Sequence, residues 1–221
     1  TAVVASVTPS RHHDFSAYER FTDTGPLALL PMEGNRCSLI WTHLPVGAQS
    51  VMRLSDAEFL DALQARFGYR LGRFREVGAR QMYPLKLSVA DEWIGPRAAL
   101  IGNAAHTLHP IAGQGFNLAL RDVAQLVELL SHPSNGNPGD PKMLARYARL
   151  RRADLRRTVR FTDLLARVFM NPWAPVAYGR AAGLLALDLL SPLRHRLAQQ
   201  AMGLSARAPR LTSGLALANL H

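Results

Sequence analysis

The stretch from Arg97 to Asp122 constrains this chain more than any other. A short apolar strand, Arg97 to Ile101, runs into Gly102-Asn103, and the chain then crosses Pro110 and Gly113-Gln114-Gly115 before a long helical pattern begins. Phe116, Leu120, Val123, Val127 and Leu130 recur at spacings of four and three, which predicts that they share one apolar helix face. A strand, a glycine turn and a helix entry let a backbone approach a ligand closely. The unpaired N–H groups of the first helical turn, with the positive end of the helix dipole, favour negative charge there. Spacing alone leaves two readings open: an anion- or cofactor-facing loop, or a corner whose glycines only make the turn.

The flanking sequence supplies a mixed fold. Thr1 to Val7, Leu27 to Met32 and Cys37 to Leu44 read as strands, with Glu33-Gly34-Asn35-Arg36 as a hairpin loop and Tyr18 and Phe21 as inward anchors. Ser55-Asp56-Ala57-Glu58 is a capping box, and Phe59, Leu60, Leu63 and Phe67 follow on one side of a helix that stops at Gly68. Glu76 to Val89 alternates as one long strand, bent at Pro84. Ser131 to Pro141 is dense in Pro, Gly, Asn and Ser and reads as a surface loop that separates a mixed first part from a helical tail. The tail reads as Lys142 to Met170, Trp173 to Leu190 and Leu193 to Leu204. The apolar runs of Trp173 to Leu190, interrupted by Arg180 and Asp188, are too short for a membrane span, and Leu184, Leu185, Leu187 and Leu189 are read as core. The lone Cys37 excludes an internal disulfide.

The central stretch resembles the second flavin-binding motif of the aromatic-ring hydroxylases, the single-component FAD monooxygenases similar to p-hydroxybenzoate hydroxylase. His109-Pro110-Ile111-Ala112-Gly113-Gln114-Gly115-Phe116-Asn117-Leu118 is similar to the loop of the ubiquinone-biosynthesis hydroxylases. Asn103, where most members carry Asp, resembles the 2-octaprenyl-6-methoxyphenol hydroxylase branch. The resemblance extends to Phe15–Pro31, to Tyr83-Pro84-Leu85 and to Asn171-Pro172-Trp173-Ala174-Pro175. Such proteins begin with a Gly-x-Gly-x-x-Gly turn that holds the ADP half of FAD. No such turn occurs in these 221 residues, and the chain is therefore expected to be the C-terminal part of a longer enzyme, inactive alone.

The resemblance implies an α+β fragment. Its expected parts are a mainly antiparallel sheet substrate domain (residues 1–96), a strand–helix unit of the FAD-binding domain (97–131) and a helical C-terminal region (142–221), with the N-terminal Rossmann part absent. It implies FAD as cofactor, NAD(P)H as reductant, and hydroxylation of a polyprenylated phenol by O2 through a flavin C4a-hydroperoxide. Gly102, Asn103, Pro110, Gly113, Gln114, Gly115, Phe116 and Asn117 would bind the cofactor, and Tyr83, Leu85, His109 and Ile111 the substrate. No side chain is singled out as catalytic. The competing reading is a non-catalytic module that binds lipid or partner proteins of the ubiquinone pathway.

His106 and His109 lie three apart, but no third ligand sits at metal spacing, so no metal is assigned and backbone hydrogen bonding around the loop is expected. Ser88, Asp91 and His109 follow no triad spacing. The formal charge is +10, and Lys142 to Arg167 holds nine Lys/Arg against Asp154 and Asp163. Those bases suit a solvated or domain-paired helix, or an anionic membrane surface. Nucleic acid is not assigned, because neither aromatic interleaving nor a recognised module accompanies the charge. The expected location is cytoplasmic, with a peripheral position on the inner face of a bacterial membrane as an option.

Overall fold

The computed structural model describes residues 1–108, 113–132, 137–171, 173–201 and 209–213. The chain forms two compact units, Thr1–Leu85 and Lys86–His221.

The first unit is an antiparallel sheet covered by two helices. Its strands are β1 (Ala2–Pro9), β2 (Tyr18–Thr22), β3 (Gly25–Pro31), β4 (Cys37–Thr42), β5 (Phe74–Val77) and β6 (Gln81–Tyr83). The order is β2-β3-β4-β1-β5, with β6 also on β1. Alternation sets which side chains enter the core: Val3, Ala5 and Val7 of β1 are buried and pair in register with Trp41, Leu39 and Cys37 of β4. Consecutive positive φ at Gly34 (69°) and Asn35 (55°) turns the β3–β4 hairpin, a conformation that Gly and Asn tolerate best.

Helix α2 (Asp56–Phe67) starts in the expected capping box. The Glu58 N–H donates to Ser55 Oγ at 3.4 Å, and the Ser55 N–H to Glu58 Oε2 at 2.8 Å. Phe59, Leu63 and Phe67 are buried against the sheet. The preceding helix α1 (Pro45–Met52) has no counterpart in the sequence reading. It is too short for a clear apolar period, and its signal is Pro45 in the first turn. Cys37 is buried, and that burial raises its thiol pKa. The expected long strand from Glu76 is divided. β5 and β6 both pair with β1 on either side of a break where Gly78 N–H donates to Ser6 O, and Ser88–Val89 belongs elsewhere.

The second unit begins at Lys86, not at residue 97, because the intervening residues pair and pack within it. Strand β7 (Ser88–Val89) pairs with β10 (His106–Thr107). β8 (Ile94–Gly95) and β9 (Ala98–Ala99) form a small hairpin about Pro96-Arg97, with Arg97 at φ 57°. The expected strand from Arg97 to Ile101 is therefore cut short, since its first residue is the turn itself. Helices α3 (Gln114–Leu130), α4 (Pro141–Met170), α5 (Ala174–Leu189) and α6 (Ser191–Ala201) complete the unit. α4 is capped by Asp140, whose carboxylate accepts from the Met143 N–H at 3.0 Å.

Leu129 of α3 packs with Met143, Leu144 and Tyr147 of α4, so the Pro/Gly-rich segment between them connects two helices of one core and is not a domain boundary. Residues 133–136 of that segment, and the frayed end expected of the last residues, lie outside the described residues. α5 has no buried residue: Leu184, Leu185 and Leu189 are exposed and Leu187 is half-buried, in place of the expected core role.

Candidate flavin site

Two residues after β9 ends at Ala99, the backbone enters a 3-10 turn, Gly102–Ala104, with Gly102 at φ 57°. The turn is held from below by one carboxylate. Asp122 of α3 is fully buried, and its Oδ2 accepts from the Gly102 N–H at 2.9 Å and lies 2.8 Å from His106 Nε2. Its Oδ1 accepts from Arg151 Nε of α4 at 2.6 Å. Arg151 also donates to Asp154 Oδ2 at 2.7 Å and to Leu118 O at 3.3 Å. Arg121 joins from α3, donating to Asp154 Oδ2 at 2.9 Å and to Thr158 Oγ1 at 3.2 Å. Tyr147 donates to Leu100 O at 2.9 Å, and the buried Trp93 ring lies 5.5 Å from the His106 ring. Buried charges need such mutual pairing, since an uncompensated one costs several kcal/mol.

Burial alone would raise the Asp122 pKa. The His106 hydrogen bond, the Arg151 charge and hydrogen bond, and the Gly102 amide outweigh it, leaving the carboxyl below the ordinary carboxylate value. For Tyr147, burial first and the Asp122 charge second push the phenol above its usual range.

The network fixes a turn that carries Asn103 to the surface. The other half of the site is the start of α3. Gly113 is its N-cap at φ 59° and offers no side-chain cap hydrogen bond. Among the described residues no atom lies within 4 Å of where a Cβ on Gly113 or Gly115 would sit. A helix start with no side-chain cap suits an anionic or electron-rich ring edge. The residues present therefore fit FAD.

Of the residues read from the sequence, Gly102, Asn103, Gly113, Gln114, Gly115, Phe116 and Asn117 all occur on this turn and helix start, Gln114 buried and Phe116 exposed. His109, Pro110 and Ile111 lie outside the described residues. Tyr83 ends β6 in the first unit, half exposed and hydrogen-bonded to Gln81, and Leu85 is half-buried at that unit's last position. Among the described residues the partner of the His106 ring is the Asp122 carboxylate, in place of the expected backbone bond.

The apolar row on α3 is also reversed. Phe116, Leu120, Val123 and Leu130 are exposed, while Leu118, Arg121, Asp122, Gln125 and Leu129 face inward. Sequence reasoning missed this face because it carries the charged pair Arg121-Asp122. The available signal was a second row at helical spacing whose charges could meet the Arg151–Asp154 pair of α4. Among the described residues no group of three or more His, Cys, Asp or Glu is arranged to hold a metal.

The chain belongs to the FAD-binding domain family, whose model matches residues 1–162. It is 42% identical over 222 residues to ubiquinone hydroxylase UbiL of Rhodospirillum rubrum, covering 98% of this chain and 52% of that protein. It is 32% identical to the 3-demethoxyubiquinol 3-hydroxylase of Escherichia coli, covering 86% and 49%. These relatives agree with the resemblance to the ubiquinone-biosynthesis hydroxylases. The chain spans about half the length of the curated relatives it matches. Among solved structures, p-nitrophenol 4-monooxygenase PnpA from Pseudomonas putida is similar, with TM-score 0.66 and 20% identity over 93% of this chain and 54% of that one, a likeness of fold alone.

Proposed function

We propose that this chain forms the substrate-side sheet, the second flavin-binding motif and the helical tail of an FAD-dependent monooxygenase. The reaction is hydroxylation of a polyprenylated phenol in ubiquinone biosynthesis, with NAD(P)H as reductant and O2 as oxidant. One observation carries this reading: the buried His106–Asp122–Arg151 network, which holds the Gly102-Asn103 turn within the same unit as the uncapped start of α3.

FAD, when bound, supplies the oxygen chemistry. The residues of this chain position it. Asn103 would hydrogen-bond the ribityl chain, as donor or acceptor. The amides from Gly113 to Gly115 would stabilise negative charge on the pyrimidine edge with the help of the helix dipole. Asp122 does not reach the reacting atoms; it keeps the turn in register with α3, which is a positioning role.

The exposed apolar row on α3 supports an arrangement in which the dinucleotide-binding part of the longer protein covers it. α5 supports the membrane-surface or partner-protein side of the reading. It is apolar around most of its circumference yet has no fully buried residue, with Tyr178, Leu185 and Leu189 exposed. Among the described residues no single helix is long and apolar enough to cross a membrane; α5 and α6 would suffice together by length and composition but are bent by 102°.

The function is tested with a form extended to the relatives' length, incubated with FAD, NADPH, a short-tailed prenylated phenol and labelled O2. The expected product carries one labelled oxygen atom on the ring. NADPH-dependent product without label would rule out O2 as the source of the oxygen atom, and no product with FAD fully bound would move the assignment to a non-catalytic lipid- or partner-binding module.

A further inference from the structure

We infer that α4 and the segment from Leu87 to Trp93 form a binding site for a single-chain anionic lipid of the fatty-acid type. A cleft of about 400 Å³ lies between them, within the range of small-molecule sites. Trp93 and Leu155, both buried, make its floor. Leu87 and Val89 form an apolar wall that is 55% and 46% exposed, which leaves two large hydrophobic side chains facing water.

The opposite rim is cationic. Arg152, Arg156 and Arg160 line the cleft from α4, four residues apart, and so form one row on one helix face. Arg152 is held in place by donating to Asp91 O at 2.6 Å. Arg156 and Arg160 are exposed and have no ion-pair partner among the described residues, and no acidic side chain lines the cleft. This row belongs to a strongly polarised chain: residues 142–221 hold fourteen Lys/Arg against three Asp, whereas residues 1–141 hold twelve against thirteen Asp/Glu.

An apolar trough bordered by unpaired guanidinium groups matches an apolar chain ending in a carboxylate, which the planar fork of Arg can bind through two hydrogen bonds. A neutral phenol would leave the arginines unmatched, so this ligand differs in kind from the proposed substrate.

The test is displacement of a fluorescent fatty acid by oleate, below the concentration at which oleate forms micelles. Oleate should compete, and methyl oleate should require at least tenfold more, since it keeps the chain and loses the charge. The double variant R156Q/R160Q should weaken oleate about tenfold or more. L87D, at an exposed rim position where folding is not at stake, should weaken it similarly. Affinity for shorter saturated acids should fall by up to about fourfold per methylene removed. Equal competition by oleate and its methyl ester, unchanged binding by R156Q/R160Q, displacement by inorganic phosphate as readily as by oleate, or capture by anionic vesicles without binding of monomeric oleate would each overturn the proposal.

Discussion

Asp122→Asn should destabilise the second unit by roughly 3–5 kcal/mol, the usual cost of breaking a buried charge pair from one side. The side chain is wholly inaccessible and is approached by three groups, the Gly102 N–H, His106 Nε2 and Arg151 Nε. An amide carries no charge to offset Arg151, and its own NH2 would face a donor. Thermal unfolding of this unit, followed by hydrogen exchange of its amides, should move down by about 10 °C or more. The pH dependence has a definite sign. The folded pKa of Asp122 lies below its unfolded value of about 4, so its contribution is present above that pH and is lost as pH falls through the lowered folded value. The wild-type unit should therefore lose stability below about pH 4 more steeply than the Asn variant. A change under about 1 kcal/mol at neutral pH, with the same acid slope, would mean that the network does not hold the turn.

Charging the outer face of α3 should separate the two lengths of the protein. Leu120→Glu or Val123→Glu places a carboxylate where the side chain is 49% or 44% exposed. In this chain such a change should stay within about 0.5 kcal/mol. In a form extended to the relatives' length, where the proposed dinucleotide-binding part covers this face, the same carboxylate would be buried without a partner and should cost several kcal/mol and the soluble yield. Leu118→Ala, at a fully buried position of the opposite face, should cost about 2–5 kcal/mol in both forms. Denaturant titration of the three variants in each form makes the comparison. Equal, small effects of the Glu variants in both forms would leave the α3 face without a cover.

Much of the first unit was legible because its signals are local. Strand alternation, the Gly34-Asn35 hairpin and the Ser55–Glu58 box each need only neighbouring residues. Helix α1 and the division of the strand after Phe74 depend on pairing with β1, which no local pattern reports. In the second unit the same limit reversed a conclusion. Periodicity correctly put Phe116, Leu120, Val123 and Leu130 on one face of α3, but it cannot say whether this chain covers that face. Arg121 and Asp122 looked like solvent-facing charges. Only the approach of Arg151 and Asp154, from a helix more than twenty residues on, makes them interior. The glycines of the proposed flavin site were recognisable through the family resemblance; the carboxylate that accepts from the Gly102 N–H was recognisable only by its distances.

Gly102 to Asn117 is the proposed half of a flavin site that this chain contributes. FAD titration of the extended form, by flavin fluorescence quenching, tests it most directly, with this chain and a Gly115→Leu variant measured alongside. The open space before Gly115 is where the ring edge would lie, and a leucine there would fill it. The extended form should bind, Gly115→Leu should lose affinity by about a hundredfold or more, and this chain alone should bind little or not at all. Undiminished binding by Gly115→Leu, or no binding by the extended form, would contradict this assignment.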